Sequence, residues 1–405
     1  MPSVLQLLAQ RPTLTGSGVT IDALAREASR RGWEQHAVVA HPHGEAPPTV
    51  DGLPDERIHP LEFGTADLPF PVPGMSDVMP YPSTVFSSMG AADWERYVAA
   101  WRAHLARVVD RVRPDLIHAH HVWLLSSLVK EIAPEIPQVI HCHATGLRQM
   151  RLDPERARPI AAGCRRAEAF VALHDDHREE LAARLGIPIE KVHVVGAGYA
   201  AELFHARGRD PDPGSILFAG KLARSKGLAV LLEAFERLAE RHPGICLHVA
   251  GEGSGDEGRE LRDRVLAMAP RVVFHGRIDQ PALARLMRRR AVFALPSFYE
   301  GLPLALVEAR ASGCRVVATA LSGTLELARA VDGGLDLVEP PRMATVDRPE
   351  LEDLPRFTDR LERALERALG MPGSIPEPRD LEPFTWAAVF ARIERVWRLL
   401  LGGRG

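Results

Sequence analysis

What most limits the folding of this chain is one pattern that runs twice: short apolar segments alternating with amphipathic helical ones. The first run opens with Ser3–Ala9 (SVLQLLA), a loop bearing Gly16 and Gly18, and a helical period from about Val19 to Arg31 closed by Gly32. His36–Ala40, Leu116–His120, Val139–His143, Phe170–Leu173 and Val192–Val195 follow as strands, with helical Trp94–Val112 and Ser126–Ile132 between them. Strands separated by helices must lie parallel, because parallel neighbours need a crossover long enough to hold one. The second run carries Ile216–Ala219, Ile245–Ala250, Val272–Phe274, Val292–Leu295, Arg315–Ala318 and Leu335–Val338. Its first helix keeps Leu228, Leu231, Leu232, Phe235 and Leu238 on one face. The expected fold class is therefore α/β, with two doubly wound domains whose ligands bind beyond the strand C-termini.

A polar Pro/Gly segment, Arg207–Ser215 (RGRDPDPGS), reads as the linker, giving domains 1–206 and 207–383 and a terminal helix over 384–405. Six prolines and two glycines between Pro60 and Pro82 exclude regular structure there and mark an insertion near 60–93, packed through Phe63, Phe70, Tyr81 and Phe86.

Lys plus Arg (50) nearly balances Asp plus Glu (53), so no global field attracts a polyanion and no nucleic-acid partner is expected. Cys142, Cys164, Cys246 and Cys314 form no C-x-x-C pair, which fits a reducing cytoplasm. No stretch approaches the ~18 apolar residues of a membrane span. The basic run Arg285, Arg288, Arg289 and Arg290 reads as solvated surface, with peripheral contact at the inner membrane face as the other option.

Ser297–Gly313 (SFYEGLPLALVEARASG) concentrates the chemistry. Pro303 just inside a helix start and Gly313 just past its end predict that the amides of Gly301, Leu302, Pro303 and Leu304 serve a phosphate. Glu300 and Glu308 read either as hydroxyl-binding carboxylates or as a capping acid and a solvated helix residue. Lys221 and Lys226 could meet the charge of a leaving diphosphate. The period-2 rule puts His118 with His120, and His141 with His143, on shared strand faces. Such imidazoles can bind zinc, hydrogen-bond structurally or contact a sugar.

The spacing E-G-x-P-L-x-x-x-E over Glu300–Glu308 resembles the signature of the retaining family-4 glycosyltransferases (glycosyltransferase group 1) of the GT-B fold. Phe218–Leu231 looks like that family's donor-phosphate segment, with Lys221 where an arginine is usual. Gly251-Glu252-Gly253 resembles its G-x-G turn, His275-Gly276-Arg277 its base-flanking segment, and Phe384–Leu400 its returning helix. Val192–Phe204 resembles its crossover, with Ala197 in place of an asparagine, and Ile117–His121 its H-x-H segment, with His121 where an aromatic is common. The resemblance implies two Rossmann-like domains facing each other across a cleft, the first for a hydroxyl acceptor and the second for a UDP- or GDP-sugar. It further implies retention of configuration with neither metal nor cofactor, the donor being a substrate. By it, Lys226 and the Gly301–Leu304 amides hold the diphosphate, Glu300 the sugar hydroxyls, Glu308 the ribose, and His120 faces the sugar. Gly16, Gly18, Lys221, Gly251, Gly253 and Arg277 complete the donor contacts, and His118, His121 and His143 are acceptor or sugar contacts. The acceptor classes are a glycan, a lipid-linked sugar or a small metabolite. The rival readings are a nucleotide-sugar epimerase, a phosphorylase, a non-catalytic binding protein and a histidine-based metallohydrolase.

Overall fold

The computed structural model describes residues 2–331, 333–371 and 375–402. The end of the expected terminal helix, 403–405, lies outside them. Contacts divide the chain into two units: one holds the chain up to Asp77, Pro82–Gly198 and the stretch from Trp386 on, the other Val78–Tyr81 and Tyr199–Thr385.

The first unit is built on β1 (Ser3–Leu8), β2 (Glu34–Pro42), β3 (Ile58–Phe63), β4 (Leu116–His120), β5 (Gln138–His141), β6 (Ala169–Ala172) and β7 (Val192–Val194). All pair in parallel, in the order β3-β2-β1-β4-β5-β6-β7. The second unit contains β8 (Asp212–Ala219), β9 (Cys246–Ala250), β10 (Val272–Gly276), β11 (Arg290–Leu295), β12 (Arg315–Thr319) and β13 (Leu335–Val338), again parallel, ordered β10-β9-β8-β11-β12-β13. Helices on both faces explain why central strands read as continuous apolar runs: Val4, Leu5, Leu7 and Leu8 are fully buried. Gln6 is buried among them.

Several expectations change. The first helix spans Gly16–Arg30 and not Val19–Arg31, because the Thr15 hydroxyl caps it by accepting the Gly18 N–H at 3.2 Å. Gly16 and Gly18 thus lie in its first turn, not in a loop. Regular structure reaches into the insertion: Pro60 sits inside β3, which is an edge strand and so tolerates a missing N–H. Phe63 packs against Phe70, Tyr97 and Trp101, and Phe86 against Trp94, Tyr97 and Trp123, which docks the insertion on helix Ala91–Val112. Val78–Tyr81 counts with the second unit, where Met79 O accepts the Ser254 N–H at 3.0 Å.

Arg207–Ser215 is not all linker, since β8 starts at Asp212 and the Asp212 carboxylate pairs with buried Arg290 at 3.2 Å. The units divide at Tyr199, whose N–H donates to Phe384 O at 2.8 Å. Nor is the basic run all solvated: besides Arg290, Arg288 donates to Leu203 O at 2.9 Å.

The Trp386–Gly402 helix belongs to the first unit, where Trp397 meets Trp33 edge-on at 5.2 Å. Buried Glu394 accepts from Arg31 (2.6 Å), Trp33 Nε1 (3.1 Å) and Arg398 (2.5 Å). Burial pushes this carboxyl up, but those hydrogen bonds outweigh it and hold it below the usual range. Glu394→Ala strands the buried indole N–H and is expected to cost about 1–3 kcal/mol in urea unfolding, most of the arginine charge being solvated. An unchanged midpoint would deny the helix this anchoring role.

Candidate functional site

In each sheet the strand order reverses beside its first strand, and the chemistry gathers there, at the switch point. In the second unit this lies between β8 and β11. β8 leads through Arg224–Lys226 and Gly227 into helix Leu228–Arg241, while β11 leads through Pro296–Glu300 to helix Leu304–Ala311. Phe298 N–H donates to Ser225 O at 2.8 Å and locks the two loops together. Gly227 is required at that seam: its φ is +69°, and a Cβ would lie 2.0 Å from Pro296 O. The result is an ion pair, Lys226 Nζ to Glu300 Oε1 at 2.6 Å, with Ser297 Oγ donating to the same oxygen at 2.7 Å. Both charged side chains are mostly buried, 19% and 13% exposed.

The neighbouring strand end closes in equally tightly. Gly251 N–H donates to Gly276 O and Gly220 N–H to Ala250 O. At φ +136° a Cβ on Gly251 would fall 1.8 Å from Gly220 O, so this glycine serves loop packing directly. Gly253 lies against Leu222 O, Lys221 is half-buried in the β8 loop, and Arg277 is exposed just after β10.

The Glu300–Glu308 segment departs from expectation in one respect. Helix Leu304–Ala311 begins one residue later, with Pro303 as its cap (φ −75°, ψ 106°). Pro303 has no N–H, so the donors on this stretch are those of Gly301, Leu302 and Leu304. Glu308 is buried, which removes the solvated-helix reading, and burial pushes its carboxyl up to about 8.

In the first unit the switch point lies between β1 and β4, and the chain bends there through left-handed non-glycine residues: Thr13 (φ 67°), His121 (φ 73°) and Ala144 (φ 66°). β4 ends at His120 and β5 at His141, one register pair apart in no direction: the two are Cα partners. His143 is therefore past the strand, not on it, yet its ring stacks on His141 at 4.2 Å and on His120 at 5.1 Å. His118 stacks on His120 at 5.0 Å, and His121 lies 4.9 Å from His143. His120 Nδ1 hydrogen-bonds His143 Nε2 at 2.8 Å, and Trp397 Nε1 donates to His118 Nδ1 at 3.1 Å. Burial pushes His118 and His121 down to about 3; in His120, His141 and His143 burial, with the neighbouring rings, sends the pKa well below the usual imidazole value. All five rings are neutral near pH 7.

Four participants escaped sequence reasoning: Ser297, which shares Glu300 with Lys226; Gln6 and Gln35, hydrogen-bonded at 2.6 Å behind His120; and Trp397. The single polar residue of SVLQLLA was the available signal for Gln6.

Two parallel-sheet α/β units with their polar groups at the switch points define the GT-B class. The solved structures of sucrose-phosphate synthase from Thermosynechococcus elongatus (TM-score 0.68, 17% identity, all of both chains) and trehalose 6-phosphate synthase from Burkholderia multivorans (0.69, 14%, all of both) share this fold. Residues 15–198 match the glycosyl transferase 4-like domain family and residues 213–347 the glycosyl transferases group 1 family. The chain belongs to the group 1, family-4-like glycosyltransferases. It is 29% identical over 323 residues to D-inositol 3-phosphate glycosyltransferase 1 of Catenulispora acidiphila, covering 72% of this chain and 74% of that one. It is 27% identical over 271 residues to glycogen synthase of Mycobacterium tuberculosis, and there the match spans 64% of either chain, just under two thirds.

Proposed function

We propose that this protein is a retaining glycosyltransferase that moves a sugar from a UDP- or GDP-sugar to a hydroxyl acceptor such as a glycan, a lipid-linked sugar or a small metabolite. The observation that carries this reading is the mostly buried Lys226–Glu300 pair set beside the helix that bears buried Glu308. An arriving diphosphate takes over Lys226, and the N–H groups of Gly301, Leu302 and Leu304 add fixed donors. Glu300 is then free to accept from sugar hydroxyls, and Glu308 from the ribose diol. We give the remaining donor contacts within the second unit to Lys221, Gly251, Gly253 and Arg277.

As the bond from the anomeric carbon to the diphosphate breaks, the acceptor oxygen bonds to that carbon on the same face. The acceptor's proton passes to the departing phosphate oxygen, so configuration is retained. The growing negative charge is met by Lys226 and the amides without a metal or further cofactor. We assign acceptor binding to the first unit, with His120 against the sugar and His118, His121 and His143 around it, and place the reaction in the cytoplasm. Among the described residues no helix is long and apolar enough to cross a membrane.

A panel of UDP-, GDP- and ADP-sugars read by thermal unfolding tests the donor class, because a ligand at 100 times its Kd adds about 2.7 kcal/mol. Product NMR then reads the anomeric configuration. Stabilisation by one nucleotide class and a retained product are expected, with transfer persisting in EDTA. No stabilisation, an inverted product, an epimerised donor without acceptor, or loss in EDTA restored by a divalent ion would overturn the corresponding part. Glu300→Ala removes charged hydrogen bonds worth about 1.5–3 kcal/mol each, so kcat should fall roughly ten- to a hundredfold with donor Kd little changed. A change confined to Kd would move Glu300 from turnover to binding.

A further inference from the structure

We propose that His120, His141 and His143 form a three-histidine site for a divalent transition-metal ion, with zinc as the ion whose chemistry fits best. The proposal rests on the first unit alone and is independent of the donor reading: an ion there takes the lone pairs of His120 and His143 in place of the sugar contacts assigned to those two rings, while Lys226 and the amides still meet the diphosphate charge.

One ring nitrogen from each of the three lies within 4.8 Å of the others. Tetrahedral zinc with Zn–N bonds of about 2.0–2.1 Å sets its ligand atoms roughly 3.3 Å apart. Separations of up to 4.8 Å must close by up to about 1.5 Å, and the 2.8 Å His120–His143 contact must open by about 0.5 Å. Rotation of short side chains past the strand end supplies movements of this size, and His143 lies beyond β5.

His141 supplies the independent observation. It is buried, and neither Nδ1 nor Nε2 has a hydrogen-bond partner among the described residues. Leaving a buried ring without any polar partner costs stability, and a bound cation would take up the lone pair.

The tautomer of His120 follows from a chain of hydrogen bonds that starts at a group able only to accept. Ala25 C=O accepts from Gln35 Nε2 at 2.9 Å, so Gln35 Oε1 faces Gln6 Nε2 at 2.6 Å. Gln6 Oε1 then faces His120 Nε2 at 3.3 Å and accepts its proton. The lone pair of His120 is therefore on Nδ1, where it accepts from His143 Nε2–H at 2.8 Å, and an ion bound between the two rings takes the place of that proton. This is the outer-sphere arrangement that orients metal-bound histidines. His118, in contrast, spends its Nδ1 lone pair on the Trp397 indole and stands outside the ligand set. Imidazole nitrogens alone favour zinc, copper, nickel or iron over calcium and magnesium, and three of them leave a fourth position for water.

The test is titration of the full-length chain, stripped with a chelator and dialysed, with Co²⁺ followed by Zn²⁺ at pH 7.5. One equivalent of Co²⁺ per chain, giving visible d–d absorption that Zn²⁺ abolishes, is expected, together with a raised Tm for the Zn²⁺ form. His141→Ala and His143→Ala should each lose stoichiometric binding. His141→Gln and His143→Asn serve if the alanine variants fail to fold, as judged by circular dichroism. Gln6→Met should weaken affinity about ten- to a hundredfold. His242→Ala, at an exposed histidine paired with Glu366, should bind as the wild type does. Absence of stoichiometric binding, or equal binding by the wild type and the His141 and His143 variants, overturns the proposal.

Discussion

Lys226→Ala is expected to lower kcat for sugar transfer by roughly 10²–10³-fold, the loss typical of removing one preorganised group that meets developing anionic charge. The expectation follows from how the lysine is placed. Gly227 and the Phe298–Ser225 backbone bond hold its loop against the Glu300 loop, so its ammonium is poised before any donor arrives. In the free protein its charge is neutralised by Glu300 at 2.6 Å. The alanine variant leaves that mostly buried carboxylate with the Ser297 hydroxyl and partial access to water, so unfolding free energy should fall by about 1–3 kcal/mol while the chain stays folded in the absence of urea. Rate and stability thus separate. Initial rates at saturating donor, with urea unfolding of the same samples, make the comparison. A kcat within threefold of wild type would remove Lys226 from the reaction, whereas a loss of activity matched by loss of folding would make its role structural.

What could be read from the sequence was whatever depends on residues near one another along the chain. Periodicity alone located the strands other than β3 and the parallel sheets, and the period of 2 put His118 and His120 on one face, where their rings do stack. The pairing of His120 with His141 depends on β4–β5 register across a helix, which no local pattern encodes. The Lys226–Glu300 contact is likewise a product of two loops meeting across 74 residues of chain. Errors arose where one local signal had two outcomes. Pro303 suits the first helical position and the cap equally, and the structure uses it as the cap. Thr15 captured two glycines for the first helix that composition assigned to a loop. Asp212 looked like linker because its partner, Arg290, lies 78 residues away. Pro60 reads as a strand breaker until the sheet order shows β3 at an edge. The resemblance to family-4 glycosyltransferases singled out Glu300 and Lys226 together, and these two side chains do meet in the structure, since a family motif carries long-range geometry that composition lacks.

Glu308→Gln is expected to flatten the pH dependence of stability and to weaken nucleotide binding. The Glu308 carboxyl has an ordinary value of 4.5 that burial raises to about 8. Below 4.5 the folded and unfolded chains both hold the proton, and the protein has its full stability. Between 4.5 and about 8 the unfolded chain ionises while the folded chain keeps its proton, so stability falls as pH rises, by up to about 1.4 kcal/mol per unit. Above about 8 both are ionised and the loss is complete. Glutamine keeps the shape and cannot ionise, so the variant should overtake the wild type by a few kcal/mol at pH 8.5 and match it near pH 4.5. Urea unfolding at pH 5, 6, 7 and 8.5 reads the gap, and parallel curves would show that Glu308 is ionised throughout. Nucleotide reverses the preference, because a ribose diol donates to the carboxylate and favours its charged form. UDP or GDP should therefore restore wild-type stability at pH 8.5 and do so much less for Glu308→Gln, whose Kd should rise roughly ten- to a hundredfold through the loss of charged hydrogen bonds. Equal rescue of both proteins would place the ribose elsewhere.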